Sequence, residues 1–201
     1  MSSVVCVQDR QDRRVLRSRA ALMAAAVHLV SERGTTALPV GDLADVANVS
    51  RQLVYLQFGD RDTLLVAAAT DLVERELIPE AGDAGASRRA RMLAMARHFA
   101  RRRPFYRAML TGSCAFPMTQ ALNRLFGSLV TVKGLREVFG DLDDATAHDL
   151  ATMLTGGIGV IVNDWLVDAD DPLDPEEMAD RLSRVSTVLT RTHLTSGGHS
   201  R

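Results

Sequence analysis

Between residues 34 and 60 the chain is cut into very short pieces, and each cut falls at a residue with a marked backbone preference. Upstream, Leu22, Ala25, Ala26 and Leu29 repeat at i, i+3, i+4 and i+7, the spacing of one buried helix stripe. Gly34 follows, and glycine is the usual residue where a left-handed conformation closes a helix. Pro39 suits the first turn of a new helix, and Val40, Leu43, Ala44 and Ala47 carry the apolar spacing on. Only Asn48 to Ser50 then remain for a turn. Asparagine tolerates left-handed backbone, and Ser50 is a preferred N-cap. Asp60 offers another cap. The pattern predicts helices over 12–33, 39–47, 51–57 and 61–79. Two short helices joined by so tight a turn follow the helix-turn-helix plan, in which the second helix enters a DNA major groove.

The rest of the chain also reads as helix. Strand-like alternation is missing, aromatic residues are only 4%, and Ala, Leu and Arg, all good helix formers, dominate. Further helices are expected over 88–103, 104–112, 117–139, 144–168 and 175–194, with Pro104 and Pro117 at starts. Asp174-Pro175-Glu176-Glu177 reads as a capping box with proline at its first helical position. The stretch 78–87, IPEAGDAGAS, is the strongest break in composition. The expected organisation is all-α: a helix-turn-helix domain over 10–66, joined by a linking helix to a helical bundle over 67–196. Residues 1–9 and 197–201 are expected to be disordered.

A net charge of −1 does not by itself point to nucleic acid, but its distribution is uneven. Residues 10–19 hold five Arg against one acid, residues 88–107 hold eight Arg and no acid, and residues 137–180 hold thirteen acids and no Lys or Arg. Such asymmetry points to different partners for different parts. The segment 88–107 reads in two ways: as an anion site for an effector such as an acyl-coenzyme or carboxylate, or as a solvated face balancing 137–180. Cys6 and Cys114 form no CxxC or Cys/His cluster, so neither a metal site nor a disulfide framework is supported, and reduced thiols in a cytoplasm are expected. The N-terminus lacks the apolar run of a signal peptide. No run of ~18 apolar residues suggests a membrane span. The histidines, 28, 98, 148, 193 and 199, show no metal spacing such as HExxH, and no nucleophile–base arrangement or cofactor motif is present.

In the helix 51–57, Val54 and Phe58 lie i, i+4 apart and are expected to pack inward. That leaves Arg51, Gln52, Leu53, Tyr55 and Gln57 facing out or partly out. Arginine can grip guanine with two hydrogen bonds, glutamine can do so for adenine, and leucine can touch a thymine methyl. Tyr55 and Gln57 can donate to phosphate, as can Arg61 at the next helix start. Leu56 is left unassigned.

These residues carry a resemblance. RAALMAAAVHLVSERG (19–34) resembles the first helix of TetR-like (tetracycline-repressor) transcriptional regulators, with Arg19, Leu22, Met23, Ala25, Ala26, Leu29 and Gly34 at the family's positions. DLADVANVSRQLVYLQFGDRDTLL (42–65) resembles the rest of that DNA-binding domain: Leu43-Ala44 in the second helix, Val49-Ser50 at the turn, Tyr55 and Phe58 in the recognition helix, and Arg61 where lysine is usual. The likeness covers about 13–66. Departures are Asn48 for a common glycine, Pro39 for a capping threonine, and Leu56 and Gln57 where aromatic or histidine residues are common.

The resemblance implies a C-terminal domain that binds a small molecule and pairs two subunits. Gly156, Gly157 and Gly159 interrupt the helix 144–168 at about 1 kcal/mol each relative to alanine, which points to close approach of a neighbouring helix. Leu150, Leu154, Gly157, Ile158 and Ile161, with Leu182, Val185 and Leu189 (and Val188) of the last helix, are the expected isologous dimer contact. The alternative is that they complete the monomer core. Met95, Phe99, Tyr106, Met109, Cys114, Phe116, Asn123, Phe126, Asn163 and Trp165 have the apolar-with-few-polar character of a ligand pocket, a character shared with plain core. The expected function is a ligand-responsive, homodimeric repressor of a palindromic DNA operator, without cofactor. The rivals are a helical-bundle enzyme, a DNA-binding dimer without effector, and an activator.

Overall fold

A computed structural model describes residues 2–81 and 85–194, with side chains described over 13–81 and 85–189. The described residues are helical with intervening turns, and no strand occurs among them. The tail 197–201 and the side chains of Cys6, Arg10, His193 and His199 lie outside the described residues. The chain divides into two compact units, residues 1–72 with 104–118, and residues 73–103 with 119–201.

The first unit opens with α1 (Ser2–Arg33), followed by α2 (Val40–Val46), α3 (Arg51–Phe58) and α4 (Arg61–Leu72). The helix α1 begins ten residues before its expected start; neither glycine nor proline interrupts it before Gly34. Gly34 closes it at φ +64, its N–H donating to the Val30 carbonyl. Pro39 is the extended residue before α2 and not its first helical one. The helix α1 packs on α2 and α4, and α3 packs on both α2 and α4. Leu22, Ala25, Ala26 and Leu29 are buried, the stripe the spacing predicts, and Leu43, Val54, Leu64 and Leu65 are buried with them.

This unit also recruits a later segment, 104–118, which holds most of α7 (Arg103–Thr111) and the start of α8 (Ala115–Leu129). Phe105, Tyr106, Met109, Cys114 and Met118 are buried there. Ser113 Oγ donates to Asp62 Oδ2 at 2.9 Å. A methyl group on Gly112 would meet Thr36 Oγ1 at 2.2 Å, so only a bare backbone fits beside that hydroxyl. The division therefore falls after residue 72 and not after 66, and the first unit is discontinuous in sequence.

The second unit starts with a wide, π-helical turn at Val73–Leu77 and a short α5 (Ile78–Ala81), in place of the even helix expected to 79. It continues with α6 (Arg88–Arg101), α9 (Val132–Phe139), α10 (Asp144–Asp168) and α11 (Pro175–Leu194). The helix α6 lies along α11, and α10 contacts both α6 and α9. Side chains set the starts: Ser87 accepts from Ala90 N, Asp143 from Thr146 N, and Asp174 from Glu176 N and Glu177 N. The expected helix 117–139 is two helices. Thr131 accepts from Gly134 N at 3.1 Å and starts α9, the local hydroxyl competing with continued helix.

The arginine-rich and acidic stretches meet within this unit. Arg89 bonds Glu176 and Asp180, and Arg97 bonds Glu176. Arg102 and Arg101 face Glu76. Arg103 is buried; its Nε donates to the Leu166 carbonyl at 2.9 Å, and its other nitrogens reach the Ala169 carbonyl and Asp171. Carboxylates and helix-end carbonyls thus occupy these five guanidiniums, which favours charge balance over an anion site.

Candidate nucleic-acid interface

The outward surface of α3 is built from its two ends. At the start, Ser50 is extended (φ −76, ψ 150) and its hydroxyl accepts from Leu53 N at 3.3 Å. The turn before it is possible because Asn48 adopts φ +52, the left-handed conformation that asparagine tolerates. At the far end, Arg19 of α1 donates to the Gln57 carbonyl at 3.0 Å and stacks over the Phe58 ring at 4.1 Å. Val54 and Phe58 are buried, as their spacing predicts. The helix is therefore locked in rotation, and the rotation decides which side chains face away.

Arg51 and Gln52 are exposed, Leu53 is half-buried, and Tyr55 is 54% exposed. This is the outward group expected from the sequence. Gln57 departs from it. Its Nε2 donates to Ser18 Oγ at 2.7 Å, so the amide points to α1 and positions α3. Leu56 is the most exposed apolar side chain of the unit, at 79%, and is not packed on α4. The role of Arg19 as a fastener escaped sequence reading, which had it only among the five arginines of 10–19 and at a position of the family pattern. Its i-to-helix-end geometry has no local signature.

Arg61 stands at the start of α4, half-buried, with Nε and Nη2 each 2.7 Å from Asp62 Oδ1. A phosphate there competes with that carboxylate. The cap of α4 is Asp60, whose Oδ1 accepts from Thr63 N at 2.7 Å. This backbone bond, with help from the Thr63 hydroxyl, holds its pKa below the ordinary value despite slight burial.

The residues expected to line a pocket are divided between the two units. Tyr106 and Met109 are fully buried in the first, and Phe116 is 72% exposed there. Tyr106 and Met109 are thus enclosed, as core residues of their helical spacing would be. Cys114 is also buried in the first unit, and burial pushes its thiol pKa up. Phe99 is buried in the second unit, where Met95, Asn123, Phe126, Asn163 and Trp165 are half-buried. Asn123 on α8 approaches α10 where Gly159 leaves room, its Oδ1 3.2 Å from where a methyl would stand. No neighbour comes within 4 Å of that place at Gly156 or Gly157.

The residues expected to pair two subunits differ in exposure. Leu182 is buried in the core of its own subunit, and Leu150, Leu154, Ile158 and Ile161 are half-buried. The apolar positions left outward are Met153 (60%), Val160 (57%) and Val188 (67%), with Gly157, Val185 and Leu189 beside them in the exposed class. The helix α10 is apolar on nearly every side, so spacing alone could not fix which side is buried. By length and composition it even meets the measure for crossing a membrane, contrary to the sequence expectation, although its own unit covers part of it.

A three-helix head with a capped, outward-facing short helix, followed by a helical body, defines the class of helix-turn-helix DNA-binding regulators. Residues 22–68 match the family described as bacterial regulatory proteins, tetR family. The head is thus a tetR-family DNA-binding domain, and the described chain shares the fold of solved TetR-family structures. Among solved structures it is similar to the TetR family repressor AlkX from a Dietzia species, at 20% identity, TM-score 0.58, covering 87% of this chain and 96% of that one. It is similar to the dihydroxyacetone kinase operon activator DhaS at 14% identity and TM-score 0.61, covering 88% and 97%. It is also similar to the repressor FadR of Thermus thermophilus, solved with lauroyl-CoA, at 19% identity and TM-score 0.59, covering 91% and 96%. No curated protein sequence matches the chain.

Proposed function

We propose that the protein is a homodimeric repressor that releases a palindromic operator when a small molecule binds its second unit. The observation that carries this is α3, fastened at both ends with Arg51, Gln52, Leu53 and Tyr55 turned outward. Each subunit places α3 in a major groove, so the half-sites lie about 34 Å apart or at a multiple of that. Arg51 and Gln52 read base edges, Leu53 meets a thymine methyl, and Tyr55 and Arg61 hold phosphate. The exposed arginines of α1, Arg13, Arg14 and Arg17, add salt-dependent attraction.

The two subunits pair through Met153, Gly157 and Val160 of α10 with Val185, Val188 and Leu189 of α11. This apolar strip is otherwise left in water. A single monomeric species at micromolar concentration would contradict it. The effector site is placed among Met95, Phe99, Asn123, Phe126, Asn163 and Trp165, apolar groups with two amides to orient a ligand. The ligand acts by binding one dimer shape more tightly than another. Repression is supported by the names of AlkX and FadR, while DhaS is called an activator. Binding to an operator puts the protein where the DNA is, in the cytoplasm.

The test is selection of DNA from a random pool by the purified protein at two salt concentrations. A palindromic motif is expected, with affinity falling steeply as salt rises. Arg51→Ala should relax the preference at one base position, and Arg61→Ala should weaken all sequences alike. Selection of no motif would overturn the reading. Turnover of a small molecule that survives loss of DNA binding would favour an enzyme.

A further inference from the structure

Gly41 sits on α2, one residue inside its first turn, and is buried although it has no side chain. What covers it is the head group of Arg51, the first residue of α3. A methyl group on Gly41 would lie 2.5 Å from Arg51 Nη2 and 2.8 Å from both Cζ and Nε. All three distances are to the guanidinium, so the charged plane rests on the bare backbone of α2. Among the described residues, no ion pair or hydrogen bond holds it there. The space itself is what admits it.

We infer that Gly41 is a specificity-determining position of the DNA-reading surface, acting on Arg51 without touching a base. The inference rests on the reading of α3 as the recognition helix. Carbon and nitrogen atoms pack at ~3.5–4.0 Å, so even one methyl at residue 41 drives the guanidinium outward by about 1 Å. Recognition geometry tolerates about 0.5 Å, and bidentate guanine recognition depends on the orientation of the guanidinium plane. The short turn 48–50 fixes the spacing of the two helices, so Arg51 cannot follow by moving its backbone. A residue with no side chain thereby sets where the arginine points.

The effect is separable from folding. Alanine is a better helix former than glycine, and the methyl meets only the flexible end of a side chain, so Gly41→Ala should melt no lower than the unaltered protein. The experiment is DNA selection from a random pool, followed by affinity measurements on the selected site, with the full chain and with Gly41→Ala, Arg51→Ala and the double variant. Arg51→Ala should lower discrimination at its base pair by about ten-fold. Gly41→Ala should lower it at the same base pair and leave other positions alone, and in the Arg51→Ala background it should change nothing further. Retention of the full preference by Gly41→Ala would overturn the proposal. So would an effect that persists without Arg51, or one confined to uniform weakening with a lower melting temperature. Failure of the unaltered protein to select any motif would overturn the DNA reading itself, and the proposal with it.

Discussion

Acidification should destabilise the second unit through one imidazole. His98 of α6 is completely buried, with Nδ1 3.6 Å from Glu76 Oε2. Burial pushes its pKa down from 6.5 to about 4; the Glu76 carboxylate pulls it up, and Arg101 and Arg102 push it down. The folded value lies below the unfolded one, so the unfolded chain takes the proton first as pH falls. Stability is complete above the unfolded value and is lost progressively from about pH 6.5 toward pH 4. Linkage puts the loss at about 2 kcal/mol between pH 8 and pH 5, and about 3 kcal/mol by pH 4. Glu76 contributes separately. Burial raises its pKa, but the Arg102 hydrogen bonds and charge outweigh that and hold it below its ordinary value. Its stabilisation is therefore lost only at lower pH, below the range in which His98 first acts. The assay is urea unfolding at fixed protein concentration from pH 8 to pH 5, on the protein and on His98→Gln. The unaltered protein should lose about 2 kcal/mol more than the variant across that range. Parallel pH profiles would refute the argument, as would an imidazole that titrates at 6.5 or above by NMR in the folded protein.

Two further outcomes are expected. Val160→Glu places a charge on the outward strip of α10 and should raise the dimer dissociation constant at least about ten-fold, equivalent to ~1.4 kcal/mol, with helical content unchanged; sedimentation at several concentrations reads it. Arg103→Ala removes the donors to the Leu166 and Ala169 carbonyls and should cost about 2–3 kcal/mol in denaturant unfolding, whereas loss of the exposed Arg91 should cost under about 0.5 kcal/mol.

Much of the head was legible because its signals are local. Ser50, Asp60, Gly34 and Asn48 each act within a few residues of themselves, and each stands where the sequence placed it. Val54 and Phe58 followed from a single spacing on a short helix with polar neighbours. The failures share a different cause. Gln57 turns inward because Ser18, far away in sequence, lies opposite it. Spacing could not fix which side of α10 is buried, because nearly all its sides are apolar. The capture of 104–118 by the first unit depends on Ser113 reaching Asp62 and on Gly112 fitting under Thr36, contacts between residues with no shared pattern.

That capture sets the order of events during synthesis. When residues 1–72 have left the ribosome, the pair α2 and α3 exists as sequence, but Asp62 and Thr36 still await their partners. The unit closes only after the chain has passed through the next thirty or so residues, which belong elsewhere, and delivered 104–118. A head cut free after residue 72 lacks those partners and should be a weaker domain than its compact outline suggests. The nascent protein therefore completes its first unit only when part of its second has already been made.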